Sequence, residues 1–153
     1  MALGHEKLDV YRLAIDYVAW VYQESNHLTG FHRSAREQWL RASQSIPLNI
    51  AEGNGKAGDA DRRRYFEIAR GSVFECAAIQ DVLVAGNALD KQENRKQKTT
   101  LDRMAAMLSR MGGKGYCVKE DPAHYGCEKV DGDNDTDTDT DFESDGVPGK
   151  FYQ

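Results

Sequence analysis

Three residues toward the end of the chain, Cys117, His124 and Cys127, are of the types that bind zinc through sulfur and nitrogen. No fourth ligand stands at a recognisable zinc-finger interval, so the alternative is free thiols in a mobile segment. Cys76 makes the number of cysteines odd, and the N-terminal residues lack the apolar run of a signal peptide. We therefore expect reduced thiols, no metal and no cofactor in a cytoplasmic protein.

The alternating aspartates of residues 131–145 suggest a second metal chemistry, calcium binding. An EF-hand loop has glycine at its sixth position and glutamate at its twelfth. A loop that begins at Asp131 has Thr136 and Phe142 at those positions, and a loop that begins at Asp133 fails in the same way. The segment is almost free of aliphatic residues, so it predicts a disordered, solvated tail, with weak calcium association as the alternative.

A cluster of basic residues could contact phosphate groups. Its members are three consecutive arginines and two flanking bases: Lys56, Arg62, Arg63, Arg64 and Arg70. Repeated around a ring-shaped oligomer, the cluster would form a basic belt able to follow a nucleic-acid backbone. The alternative is ion pairing with the neighbouring acids Asp59, Asp61 and Glu67.

The sequence patterns of enzymes and membrane proteins are missing. The glycines of residues 51–58 lack the spacing of a phosphate-binding loop and follow no predicted strand. No pattern pairs a nucleophilic serine or cysteine with histidine. No apolar run approaches the roughly 18 residues that a membrane span needs. We predict that the protein is not an enzyme and does not interact with membranes.

Charge divides the 153-residue chain unevenly. Residues 119–153 contain eleven acidic residues and three lysines, a local charge of −8, whereas residues 1–118 carry +3. We predict one domain over residues 1–114 and a disordered acidic tail over residues 115–153. If the domain binds RNA, the tail should compete with it, so deleting residues 119–153 should raise RNA affinity at low salt.

Apolar residues at helical spacing predict four helices, of which the first spans about residues 8–25. Its apolar stripe is Leu8, Tyr11, Ile15, Val18 and Tyr22. The second helix would start near Ser34 in a capping box with Glu37 and end between Gly53 and Gly58, with a bend at Pro47. Its core face would be Trp39, Ala42, Ile46 and Ile50.

The third predicted helix should be the most buried, because its apolar residues cover a wide arc. It would start with Asp59 or Asp61 as its cap and run to about Leu89. Its core residues are Phe66, Ala69, Val73, Cys76, Ala77, Ile79, Gln80, Leu83 and Val84. The fourth helix would bury Leu101, Met104, Leu108 and Met111 and end at residues 112–113. With no strand pattern, the sequence predicts an all-α, antiparallel up-down four-helix bundle.

Two segments of the predicted second and third helices carry a family pattern. They are RASQSIPLNIAEGNGK, residues 41–56, and RYFEIARGSVFECA, residues 64–77, and they follow the opening LDVYRLAIDYVAWVYQ. Over about residues 8–90, the chain resembles the four-helix-bundle proteins encoded in intervening sequences of bacterial 23S rRNA genes. The matching positions are Arg41, Ser45, Ile46, Pro47, Asn49, Ile50, Ala51, Glu52, Gly53, Phe66, Ile68, Ala69, Gly71, Ser72 and Glu75.

The resemblance implies a small bundle that assembles into a ring-shaped homopentamer. It also implies a distant relation to the accessory protein of diversity-generating retroelements, which works with a reverse transcriptase and RNA. The family has no established biochemical activity, so the resemblance implies the fold more directly than the function.

The polar residues of the first motif share one side of a helix. At 100° per residue, Arg41, Ser45 and Glu52 fall within about 40° of one another, and Asn49 lies about 40° further round. One interpretation is contact with a ligand or nucleic acid. The other is a seam between helices or subunits, in which Arg41 and Glu52 find charged partners and Asn49 hydrogen-bonds across the interface.

The second motif places Gly71 and Ser72 in the middle of a helix, where glycine costs about 1 kcal/mol relative to alanine. Close approach of another helix is the simplest reason for a glycine there, and a ligand contact is the alternative. Glu67 and Glu75 have no histidine or other base at a fixed spacing, so we interpret them as interface or surface acids.

Two functions of different classes follow from these patterns. The first is a non-catalytic assembly scaffold whose partner is the chain itself, because the apolar arc of the third helix is wider than one small bundle covers. The second is an RNA-binding accessory protein that uses the basic cluster to contact structured RNA or an RNA–protein complex.

Overall fold

A computed structural model describes residues 2–113, which form four α-helices and no strand. The helices are α1 (Asp9–Ser25), α2 (Arg33–Gly55), α3 (Asp59–Ala85) and α4 (Lys91–Met111). Short 3₁₀ turns, Gly4–Lys7 and Gly30–His32, precede α1 and α2. The all-α fold with four helices is therefore confirmed. The tail, its cysteines and histidine and the aspartate-rich segment lie outside the described residues.

Each helix packs against its neighbour in the chain, and α4 also packs against α1. Contacts along α2 and α3 run in opposite directions. Ser45 meets Ser72 near the middle of the pair, and Gly53, toward the end of α2, meets Phe66, near the start of α3. These two helices are therefore antiparallel, while the up-down course of the whole bundle stays a prediction.

The core residues predicted for the last three helices are buried almost without exception. In α2 these are Trp39, Ala42, Ile46 and Ile50. In α3 they are Phe66, Ala69, Val73, Cys76, Ile79, Gln80 and Leu83. In α4 they are Leu101, Met104 and Leu108. The exceptions are the half-buried Ala77, Val84 and Met111, which pack at the margin of the core.

The apolar stripe predicted for α1 is wrong in part, since Leu8 and Tyr11 pack at the margin of the core but the fully buried residues are others. The buried residues are Val10, Ala14, Tyr17, Val21 and Ser25. The side chains of Ile15 and Tyr22, which were expected in the core, are 43% and 50% exposed. Two apolar stripes recur along this helix at spacings of three and four, so the period alone did not choose between them. Packing selects the stripe that is buried, because Tyr17 accepts a hydrogen bond from Trp39 of α2.

The predicted cap of α2 is also wrong. The helix begins at Arg33, directly after a 3₁₀ turn, so Ser34 lies inside the first turn and forms no capping box. Glu37 instead pairs with Arg33, with 3.1 Å between Oε1 and Nε. Pro47 lies inside the helix, as predicted.

The cap and the end of α3 differ from the predicted ones, whereas α4 ends at Met111, directly before the two glycines, as predicted. The N-cap of α3 is Gly58, which has no side chain to accept a hydrogen bond, so neither aspartate of the first turn caps it. The helix ends at Ala85, four residues before the predicted end, because Asn87 takes a left-handed backbone conformation with φ of 55°. α4 is capped by Asp90, whose carboxylate accepts hydrogen bonds from two backbone N–H groups.

Gly53 is required by the contact between α2 and α3. A Cβ atom there would lie 3.0 Å from Phe66 Cε1 and 3.0 Å from Tyr65 Cβ, whereas nothing lies within 4 Å of a Cβ at Gly55. We expect Gly53→Val to lower the free energy of unfolding by about 1–3 kcal/mol, because the helices must separate. Gly55→Val, the matched control, should change it by less than about 0.5 kcal/mol. Urea unfolding followed by circular dichroism measures both, and equal stabilities would contradict this role.

Candidate functional site

Two serines of the family motifs join α2 to α3. Ser72 Oγ is hydrogen-bonded to Ser45 Oγ at 2.9 Å. Asn49 Nδ2 donates hydrogen bonds to the Ser45 backbone oxygen at 2.8 Å and to Ser45 Oγ at 3.0 Å, so its bonds stay within α2 and do not cross to another helix. Ser72 is buried and the other two residues are half-buried, so these groups form a polar seam within one chain.

The charged residues of the first motif face outward. Glu52 Oε1 lies 2.7 Å from Lys56 Nζ, and this contact raises the pKa of the lysine ammonium group. Arg41 is exposed and has no ion pair within residues 2–113. The side chain of Leu48, on the same side of the helix, is 67% exposed. α2 thus presents a mixed polar and apolar surface to its surroundings.

The predicted basic cluster is only partly available to a ligand. Lys56 is paired and also lies 5.1 Å from the centre of the Tyr65 ring. Arg70 is half-buried and donates a hydrogen bond to Ser109 Oγ at 3.2 Å. Arg62 is half-buried as well. Of these five residues, only Arg63 and Arg64 are exposed. The cluster therefore does not form one continuous basic surface.

The outer face of α3 is apolar and exposed. We call Ile68, Gly71, Phe74, Ala78 and Val82 the α3 stripe, since at 100° per residue they lie within about 120° of one another. The exposed fractions of its three large side chains are 42%, 48% and 62% in chain order. The close approach predicted at Gly71 is not made among residues 2–113, because none of their atoms lies within 4 Å of a Cβ built there. Glu75 is exposed and lies within the arc of this stripe.

A second exposed apolar surface lies on α1. We call Ile15, Ala19 and Tyr22 the α1 stripe, which is spaced by four and three residues. Tyr22 Oη accepts a hydrogen bond from Gln44 Nε2 at 2.8 Å, which fixes the ring at the α1–α2 margin. Two of these residues, Ile15 and Tyr22, belong to the apolar stripe predicted from the sequence. They were expected in the core but are exposed at the surface.

The cavities are small and line the grooves between helices. One groove of about 250 Å³ between α3 and α4 is bounded mainly by apolar side chains, with Lys98 at its margin. Lys98 Nζ contacts both carboxylate oxygens of Asp81 at 2.5 Å, which holds the pKa of Asp81 below its usual range. Over residues 2–113, no group of three histidine, cysteine or acidic side chains could hold a metal ion. None of the helices described is both long and apolar enough to cross a bilayer.

The thiol of Cys76 is buried in the core. Burial raises its pKa to about 12, although a hydrogen bond with Tyr17 lowers it. In a Cys117→Ser/Cys127→Ser background, we expect a thiol reagent at pH 8 to react at least about 100-fold faster after unfolding, because only the thiolate reacts. Absorbance of the released thiol product in buffer and in urea measures this. Equal rates in the two solvents would contradict the burial.

These features define an all-α, four-helix protein with exposed apolar stripes on α1 and α3. The chain belongs to the 23S rRNA-intervening sequence protein family, whose model matches residues 6–110. No curated protein matches the sequence. The relation to the accessory protein of diversity-generating retroelements stays a prediction.

Proposed function

We propose that the protein is a non-catalytic assembly scaffold and that its first partner is a second copy of the same chain. The observation that carries this proposal is the α3 stripe. Contiguous exposed apolar side chains on a folded chain are typical of protein–protein interaction sites. The three large side chains of the stripe lie on one helix and surround a glycine above which there is open space.

The position of Gly71 supports an intermolecular contact. A glycine in an exposed helix interior is less favourable than alanine by about 1 kcal/mol, and no neighbour among the described residues requires it. A second chain packed against this face would require it, since the backbone could then approach without a Cβ between the helices. Phe74 and Val82 would provide the apolar area on either side.

The two stripes favour a ring. α1 and α3 each pack against α2 and α4, so they occupy diagonal positions and their stripes face different sides of the molecule. If the α1 stripe of one copy covers the α3 stripe of the next, the contact joins two different surfaces. Contacts of this heterologous kind produce closed rings when the rotation between subunits permits it. Five subunits is the number that the family resemblance implies.

The experiment is size-exclusion chromatography coupled to light scattering on the full chain. A homopentamer has five times the 17.2 kDa mass of the chain. A mass equal to that of one chain at micromolar concentration would refute the assembly. A stable oligomer with a different number of subunits would support the scaffold proposal and contradict the pentamer.

A second candidate function, contact with structured RNA, is favoured by the exposure of Arg63 and Arg64 and by the +3 charge of residues 1–118. Binding of this kind depends on neutralised phosphates, so it should weaken steeply between about 50 and 200 mM salt. Failure of both the full chain and a chain without residues 119–153 to retard RNA at low salt would refute it.

A further inference from the structure

The outward face of α4 carries most of the unpaired positive charge of the helix. It presents five exposed bases that we call the α4 basic face: Lys91, Arg95, Lys96, Arg103 and Arg110. At 100° per residue they lie within an arc of about 140°. The helix as a whole contains six bases and two acids, a net charge of +4 over 21 residues. This face was not predicted from the sequence, because its bases are spread over residues 91–110 rather than consecutive.

The net charge of this face is +4, because Asp102 lies within the same arc, and the ion pairs identified in the bundle involve other bases. Within the described residues they engage Arg12, Arg33, Lys56 and Lys98, and none involves a member of the α4 basic face. Lys98 points toward Asp81 of α3. The burial of Leu101, Met104 and Leu108 fixes which side of α4 faces outward, and the α4 basic face lies on that side.

We propose that the α4 basic face binds the phosphate backbone of duplex RNA. The cations lie along a helix of 21 residues, about 30 Å long. A helix of this length can follow the regularly spaced phosphates of a rigid duplex. Gln92 lies on the same exposed face and adds a neutral donor of the kind that contacts phosphates.

The composition of α4 favours a duplex over a single strand. Single strands are held by aromatic side chains on which the bases stack, in addition to a basic groove. α4 contains no aromatic residue in its whole length. The face thus offers charge without stacking, which suits a helix whose bases are already paired with one another. It offers no set of side chains to read base edges, so the binding should not depend on sequence.

The test uses the full chain and a labelled RNA duplex of about 20 base pairs, with fluorescence anisotropy over a range of salt concentrations. Arg95→Gln/Arg103→Gln removes two charges from the α4 basic face. We expect its affinity at about 50 mM salt to fall at least about tenfold and the slope of log affinity against log salt to decrease by about 2. Lys7→Gln/Arg33→Gln, the matched control, removes the same charge from two exposed bases outside α4 and should change the affinity less than about threefold.

Four outcomes would overturn the proposal. They are no duplex binding at about 50 mM salt, equal losses in the two variants, tighter binding of a single strand of the same length, and tighter binding of polyglutamate. Circular dichroism and light scattering on each variant verify that fold and mass are unchanged. Since assembly is assigned to α1 and α3, duplex binding by a monomeric chain would refute the assembly and leave this proposal standing.

Discussion

Phe74→Glu/Val82→Glu is expected to abolish assembly and leave single folded chains of 17.2 kDa. The two side chains are 48% and 62% exposed in one chain, so both glutamates can remain in water when the chain is alone. In the proposed contact they would be buried without partners. We expect the dissociation constant to rise by at least about 100-fold, as for truncation of residues that dominate an interface. Light scattering at several concentrations measures it.

The matched control for this variant places the same charges on another helix. Gln92 and Thr99 are exposed on α4, away from both stripes, so Gln92→Glu/Thr99→Glu should keep the wild-type mass. Circular dichroism should show wild-type helicity for both variants. An assembly that survives the α3 substitutions would show that the subunits meet through another surface.

The second large effect is expected in the core, where Trp39→Ala should lower the free energy of unfolding by about 3–5 kcal/mol. Trp39 is fully buried, its Nε1 donates a hydrogen bond to Tyr17 Oη at 3.0 Å, and its ring packs edge-to-face against Trp20 at 5.3 Å. The substitution removes the largest core side chain and leaves the Tyr17 hydroxyl without this donor. Urea unfolding at one fixed protein concentration measures the loss, since association adds to apparent stability.

Leu48→Ala is the control on the same helix. Its side chain is 67% exposed in one chain, so the substitution should change the stability of the single chain by less than about 0.5 kcal/mol. Tyr17→Phe keeps the ring and removes the hydroxyl that is hydrogen-bonded with both Trp39 and Cys76, for an expected cost of about 1–3 kcal/mol. If Trp39→Ala proves no more damaging than Leu48→Ala, the core is not organised around this tryptophan.

The core of the last three helices was predictable because each has one dominant apolar arc. In α2, Trp39, Ile46 and Ile50 return to the same side every three or four residues, and no competing apolar stripe exists on that helix. The helix ends were less predictable. The aspartates before α3 and the serine at residue 34 have the residue types of caps, but the turn geometry assigned the position to Gly58 and to His32.

The candidate surfaces were also predictable from the sequence only in part. The sequence placed Ser45 and Asn49 on one side of a helix and considered a seam as one of two roles for them, but it did not connect them with Ser72, which meets Ser45 only in the folded chain. It did not show that Gly71 lies under open space while Gly53 is covered, because both are helix glycines within family motifs and only the neighbouring helix distinguishes them.

The sequence by itself determined the four helices, the family and the residues that can be buried, because these depend on periodicity and local pattern. Only the tertiary structure decided which of two apolar faces of α1 enters the core and which bases stay unpaired. Both outcomes depend on contacts between residues far apart in the chain. Tyr17 is buried because Trp39 meets it, and Lys98 is neutralised because Asp81 of the adjacent helix lies beside it. Such contacts select one face of an otherwise ambiguous helix, and the face that is left outside becomes available to partners.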